Sequence, residues 1–397
     1  MPSTLVPTVL NPPDTAYLLS ASSGPAAPPV WIYRYVEPEN GWRLSIATCA
    51  APASGQLSLG GFRIATPERT ESPGFDTDRE AMGLAIGMDG KVQWSRVLGI
   101  AGPLARRDMG RFVGGKCVLH PTPGSRIGQP GDRGMLDFAL ACFADAESRG
   151  GFRITTGQDL GHGLMSDGVT SSLQYLSERF TGCVVSDTSQ PTGIGNFHLL
   201  RGMLRGEDIE VQAATIGLIG CGNVGTRVLE RLRECGANVR VMDASPRRRD
   251  ELAALGLATY APDRKREMLA APMDAVVVNA AGGSLDAAAL EILARNERCA
   301  VLCGSENLAM PDGAAGAELL RKARKAYAPT ELGGMMGYLT AVEEFLARIE
   351  GVSFDIGSMV DASEMLTGPG EAAMRLLRKR DFAITYEAAL REVCSAI

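Results

Sequence analysis

Histidine is scarce. The 397-residue chain has only His120, His162 and His198, and none is spaced like a member of a zinc ligand set. Its nine cysteines never form a CxxC pair. No metal site is therefore expected, and the thiols read as reduced, mostly buried small hydrophobes. No apolar run reaches the roughly 18 residues that span a bilayer, so no membrane partner is expected. Positive charge is not in excess either: 40 Lys and Arg stand against 46 Asp and Glu, a net charge of −6. That argues against a nucleic-acid partner, which would want a basic face. Residues 1–30 are rich in Pro, Ser and Ala and carry no basic residue ahead of their apolar positions. They read as an extension rather than a signal peptide, and the protein as cytoplasmic.

What is present is ordinary globular composition, 45% hydrophobic and 22% charged, in a chain too long for one ordinary core. The strongest local signal runs over residues 214–243, ATIGLIGCGNVGTRVLERLRECGANVRVMD. An apolar strand ends at Gly220, and Gly220-Cys221-Gly222-Asn223-Val224-Gly225 has the GxGxxG spacing. Gly220 permits a tight turn, Gly222 lets a pyrophosphate approach the backbone, and Gly225 lets the following helix pack close. The helix N-terminus offers free N–H groups to phosphate. Gly236 reads as the C′ glycine. A second strand ends in Asp243, 18 residues beyond Gly225, where a carboxylate can take the ribose hydroxyls. A dinucleotide is expected there. The carboxylate favours NAD over NADP, because it repels a 2′-phosphate. Arg247, Arg248 and Arg249 either soften that preference or form a solvated first helical turn behind Ser245-Pro246 as N-cap and N1.

The α/β alternation continues in 275–280, 286–295, 299–305, 316–325 and 325–329. The expected fold is α/β with two domains, an N-terminal α/β substrate domain and a C-terminal Rossmann-type dinucleotide-binding domain. The reading places an extension over 1–30, a substrate and oligomerisation domain over 31–197, and the NAD-binding domain over 198–354. Helices within 355–397 are expected to return to the first domain.

Several short motifs, in this order, resemble the glutamate/leucine/phenylalanine/valine dehydrogenase family over roughly residues 55–345. They are LSLGGFR (57–63), DREAMGLAIGMDGK (78–91), FVGGKCVL (112–119), ITTGQDLGHG (154–163), QPTGIG (190–195), CGSENL (303–308) and YAP (327–329). The resemblance implies a homo-oligomer with the active site in a cleft between its domains. It also implies reversible oxidative deamination of an L-amino acid with a nicotinamide cofactor. By resemblance, Lys116 is the catalytic lysine and Asp159 the carboxylate that moves protons to and from the amino nitrogen. Lys91, on a helix that ends in a methionine and then a lysine, holds the substrate carboxylate. Gly61, Met88 and Gly157 line the substrate. Thr192, in a turn entering the nucleotide domain, orients the nicotinamide together with Asn307, and Asn279 lies at the cofactor. The glycines before Lys116 are expected to let the backbone approach the substrate.

The chain also departs from the family pattern. Residues 97–112 hold an apparent insertion, and LGGMMGYL (332–339) replaces an asparagine-containing segment. Gly157 stands where a slightly larger residue is common, which suggests extra volume, and Met335 and Met336 suggest an adaptable apolar wall. A bulky apolar or aromatic amino acid is the leading substrate. An imine-reducing or amine–carbonyl-coupling tailoring enzyme of the same fold is the runner-up, and a non-catalytic NAD-binding protein the third reading.

Overall fold

The computed structural model describes residues 5–15, 18, 27–157 and 159–395. It divides into two compact units. The first comprises residues 1–93, 102–187 and 338–355, and the second 94–101, 188–337 and 356–397.

In the first unit the strands are β1 (Thr8–Leu10), β2 (Trp31–Val36), β3 (Arg43–Thr48), β4 (Leu57–Leu59), β5 (Phe62–Ile64), β6 (Phe112–His120) and β7 (Arg153–Thr155). They form one mixed sheet in the order β1-β2-β3-β6-β4-β7, with β5 also on β6. Pairing is antiparallel from β1 to β6 and parallel among β6, β4, β7 and β5. β6 is buried along eight of its nine residues, because strands flank it and helices cover it. Ile32, Leu44, Ile46 and Leu119 share a core with Met135, Leu136 and Phe143 of the helix Asp132–Gly150. Each such side chain contributes roughly 1.5–3 kcal/mol on burial.

Part of the expected extension belongs to this sheet, since β1 pairs with β2 in the register Thr8↔Arg34. The rest of it, residues 1–4, 16–17 and 19–26, lies outside the described residues.

In the second unit the strands are β8 (Thr215–Ile219), β9 (Asn238–Met242), β10 (Ala258–Tyr260), β11 (Ala275–Val278), β12 (Val301–Gly304) and β13 (Ala326–Tyr327). All pairs are parallel, in the order β10-β9-β8-β11-β12-β13. This is the doubly wound order, which reverses between β8 and β11. β8 and β11 are buried throughout, as a sheet covered on both faces requires. Val228, Leu229 and Leu232 form the buried stripe of the helix Asn223–Glu234. That helix stops at Gly236, with φ of +78°. Ser245 accepts the Arg248 N–H at 3.2 Å with Pro246 at the first helical position, as its sequence pattern predicts.

The boundaries differ from the sequence reading in four places, one of them residues 94–101, which fall in the second unit. Residues 356–397 fall in the second unit, not the first. There the helix Thr367–Lys379 lies on the helix Ser189–Gly206, and a Cβ at Gly202 would stand 2.2 Å from Thr367 O. His198 Nδ1 and Thr367 Oγ1, 3.0 Å apart, join the same pair of helices. Residues 338–355 belong to the first unit, and the second resumes at Thr188 rather than 198. Within the first unit Glu343 accepts the N–H groups of Leu104 (2.6 Å) and Ala105 (2.9 Å), and so caps the short helix Ala105–Arg111 of the apparent insertion. Among the described residues no helix is long and apolar enough to cross a membrane.

Candidate active site

The first unit brings Lys116 and Asp159 together. Lys116 lies on β6, opposite Ala47 of β3. Asp159 follows β7, in a turn tied down on both sides. Leu160 O accepts the Ile64 N–H at 3.1 Å. His162 Nε2 donates to Phe62 O at 2.8 Å, and its Nδ1 meets Ser172 Oγ at 3.0 Å. A carbonyl can only accept, so the proton sits on Nε2. Burial holds the His162 ring below its ordinary pKa and hence neutral. The two remaining histidines take strand-end and helix positions, His120 closing β6 and His198 within Ser189–Gly206.

Lys116 Nζ and Asp159 Oδ2 form an ion pair. Their side chains are 5% and 11% exposed. Asp159 Oδ1 accepts the Leu160 N–H at 2.7 Å and meets Arg63 Nη2 at 3.3 Å. Burial depresses the Lys116 ammonium, and Arg63 pushes the same way. Asp159 opposes them, but the lysine stays below its ordinary value. Burial alone would raise Asp159. Lys116 and Arg63 outweigh it and hold the carboxyl well below the usual range. The pair is therefore an ionised acid beside an amine eased toward its neutral form.

Gly61 makes room for that amine, since a Cβ there would stand 2.9 Å from Lys116 Nζ. The glycines before Lys116 serve packing. A Cβ at Gly114 would lie 2.3 Å from Ala85 O, and one at Gly115 would lie 2.1 Å from Ser58 Oγ. The helix Thr77–Leu98 is thereby seated on β6, and Asp89 Oδ1 accepts the Gly114 N–H at 3.0 Å. This helix carries half-buried Met88 and buried Lys91. It continues past Lys91 to Leu98 instead of ending there. Gly157 does not open volume as its sequence suggests, because a Cβ there would come within 3.3 Å of Val184 Cγ2. Gln158 lies outside the described residues. Met335 and Met336 are fully buried within the helix Thr330–Glu350. Met336 packs toward Gly195 inside the second unit, so it reads as core and not as a substrate wall.

The second unit carries the dinucleotide features. Gly220 turns with φ of +82°. A Cβ at Gly222 would meet nothing within 4 Å, whereas one at Gly225 would stand 2.0 Å from Gly220 O. The turn at Gly220 and the close helix packing at Gly225 are roles read from the spacing, and Gly222 borders open space. Gly222 caps the helix that begins Asn223-Val224 without a side-chain hydrogen bond, which leaves N–H groups for phosphate. Asp243 accepts the Cys221 N–H on Oδ2 (2.8 Å) and the Ser245 N–H on Oδ1 (2.9 Å), with lone pairs left for hydroxyl donors. Arg248 is not a solvated residue. It donates to Cys221 O (3.0 Å) and Thr226 Oγ1 (2.8 Å) across the turn. Arg247, 90% exposed, is.

Asn279, at the C-terminal end of β11, accepts the Ser305 N–H (3.0 Å) and hydroxyl (2.7 Å) on Oδ1. That fixes its amide, and its buried Nδ2 has no hydrogen-bond partner among the described residues. An unmet buried donor costs about 1–3 kcal/mol, which a polar ligand at this strand end would relieve. Half-buried Asn307 follows Glu306, whose carboxylate accepts the N–H groups of Ala280 (3.1 Å) and Ser284 (2.7 Å). Thr192 lies inside the helix Ser189–Gly206, not in a turn. Its hydroxyl donates to Thr188 O at 2.6 Å, and Thr192 O accepts from Asn196 Nδ2 at 2.9 Å, both of which support the helix. Thr192 Oγ1 can thus offer a nicotinamide amide only an acceptor. These residues fit a bound dinucleotide.

Arg63 is the site residue that sequence reading passed over. Its signal was present in GGFR, but its neighbours Glu80 and Asp159 are distant in the chain.

Comparison with known proteins agrees with this architecture. The NAD-binding domain of D-isomer specific 2-hydroxyacid dehydrogenases matches residues 201–284. No curated protein matches the chain in sequence. Among solved structures it resembles L-tryptophan dehydrogenase from Nostoc punctiforme, at 18% identity and a TM-score of 0.60, over 90% of this chain and 92% of that one. It also resembles the Leu-bound form of hetero-hexameric glutamate dehydrogenase from Thermus thermophilus, at 16% identity and a TM-score of 0.60, over 99% and 87%. Glutamate dehydrogenase from Peptoniphilus asaccharolyticus gives 17% identity and a TM-score of 0.57, over 92% and 88%. The chain has the fold of these dehydrogenases.

Proposed function

We propose that the protein is a nicotinamide-dependent dehydrogenase that oxidatively deaminates an L-amino acid to the 2-oxo acid and ammonia. The observation that carries this is the buried Lys116–Asp159 pair, assembled from β6 and the turn after β7. A nicotinamide dinucleotide, which the 220–225 turn and Asp243 would hold, would supply the hydride acceptor for the substrate Cα. The chain's own residues do the rest. Lys91 holds the substrate carboxylate as a point charge. Lys116, eased toward the neutral amine, takes the proton of the water that attacks the iminium carbon. Asp159 exchanges protons with the departing nitrogen. NAD is the preferred cofactor in this reading, supported by the Asp243 carboxylate, which can receive ribose hydroxyls and opposes a 2′-phosphate.

The substrate is a bulky apolar or aromatic amino acid, the class of the tryptophan dehydrogenase of this fold, and the glutamate dehydrogenases of the same fold supply the competing reading. Glutamate would need a further cation for its second carboxylate. A homo-oligomer is the proposed assembly.

The test is a screen of amino acids, and of 2-oxo acids with ammonia, using both NAD and NADP. Release of free ammonia from an aromatic or large aliphatic substrate supports the reading. Faster turnover of glutamate than of phenylalanine or tryptophan refutes the substrate assignment. Nitrogen retained in the product would instead identify imine reduction or amine–carbonyl coupling, and cofactor binding without any turnover a non-catalytic protein.

A further inference from the structure

A line of alternating charge leads from the surface of the first unit to Asp159. Arg69, 42% exposed, meets Glu80 Oε2 at 2.7 Å. Glu80 Oε1 meets Arg63 Nη1 at 2.7 Å, with both side chains 5% exposed or less. Arg63 Nη2 reaches Asp159 Oδ1, and Asp159 Oδ2 faces Lys116. Arg63 sits in the middle of β5, opposite Val118 of β6. The residues on either side of it, Phe62 and Ile64, are bonded to the turn that carries Asp159. The guanidinium and the carboxylate are thus held by one local frame.

We propose that Arg63, braced by Glu80, is a positioning residue for the Lys116–Asp159 pair: it occupies Oδ1 of Asp159 and thereby turns Oδ2 toward the lysine. The inference rests on the deamination reading above. The planar guanidinium suits the task, because its separate N–H groups serve two carboxylates at once. Glu80 supplies the counter-charge without which a buried arginine would be costly.

The arrangement also governs when the pair titrates. Asp159 lies beside two cations, and Lys116 is repelled by one of them, Arg63. Without the arginine charge, Asp159 keeps its proton to higher pH, and so does Lys116. Both changes move the acid limb of the rate profile the same way, to higher pH. The other titratable groups on these elements are His162 in the turn, Cys117 and His120 on β6, and Asp78, Arg79, Asp89, Lys91 and Arg96 on the helix seated there. The variants below leave these in place.

The experiment compares Arg63→Gln, Arg63→Lys and wild type in the full-length protein, reading kcat/KM against pH with the substrate found by the screen. For Arg63→Gln the acid limb is expected to move up by about one pH unit, so that the rate at a fixed pH on that limb falls roughly tenfold. NADH affinity stays unchanged. Arg63→Lys should return the limb most of the way while leaving kcat low, because an ammonium does not reproduce the fork. A folded Arg63→Gln variant whose limb stays in place overturns the proposal, as an arginine of purely structural value would lower rate or stability only. If Arg63→Gln does not fold, because Glu80 is left buried and unpaired, the double variant Arg63→Gln/Glu80→Gln takes its place.

If wild type deaminates no amino acid, the functional reading fails, and Arg63 is judged by melting temperature alone. The loss caused by Arg63→Gln must then shrink in an Asp159→Asn background, and additive losses overturn the inference.

Discussion

Gly60 and Gly61 are adjacent, yet a single added methyl should act differently at each. At Gly61 the new Cβ would lie 2.9 Å from Lys116 Nζ, and 3.3 and 3.4 Å from Cβ and Oδ2 of Asp159. Van der Waals contact requires roughly 3.5–4.0 Å, so the lysine head must retreat by about 0.6–1.1 Å. It can do so, being the far end of a flexible side chain, and the fold should survive. Catalysis should not, because a misplacement of about 1 Å costs on the order of 100-fold, equivalent to about 2.7 kcal/mol in the barrier. At Gly60 the Cβ would lie 1.7 Å from Gly115 O and 2.4 Å from its carbonyl carbon. Backbone cannot swing aside, and Gly60→Ala should lose about 1–3 kcal/mol of stability or more. The assays are NADH formation and thermal melting for both variants. Gly61→Ala is expected to melt near wild type with kcat/KM down about 100-fold, and Gly60→Ala to melt early. A Gly61→Ala enzyme with unchanged kcat/KM would refute the claim that the position of the Lys116 head limits the reaction.

Other outcomes follow from the same geometry. Lys116→Ala should bind NADH normally, by fluorescence titration, and lose roughly 10²–10⁴-fold in turnover. Because burial lowers the Lys116 pKa, the neutral base is present at lower pH than for a free lysine near 10.4. Deamination should therefore rise with pH and level off below that value. A rate still climbing through it would contradict the assignment. Asp243→Asn should lower the preference for NAD over NADP by about tenfold or more, the worth of a charged hydrogen bond, measured as the ratio of kcat/KM values.

The nucleotide half was legible because its signals are local. A strand, a GxGxxG turn, an amphipathic helix and a terminal acid follow one another within 30 residues, and the Ser245-Pro246 cap needs no distant partner. Lys116 and Asp159 were reached only through resemblance, since each alone reads as a surface charge. Arg63 was missed because its meaning lies in Glu80 and Asp159, which come near it only when β5 pairs with β6. The helices after residue 355 were assigned to the wrong unit because their apolar faces do not name a partner. Gly202, more than 150 residues earlier, does.

From the order of its residues alone, the nucleotide half of this chain determines its strands, its helices, the GxGxxG turn and the acid that follows the second strand, because each depends on neighbours a few positions away. Tertiary structure alone decides which glycines make room for the lysine and which for a helix, and which arginine steadies the carboxylate. Those roles depend on separations of 2–4 Å between segments the chain itself keeps far apart, and periodicity carries no record of them.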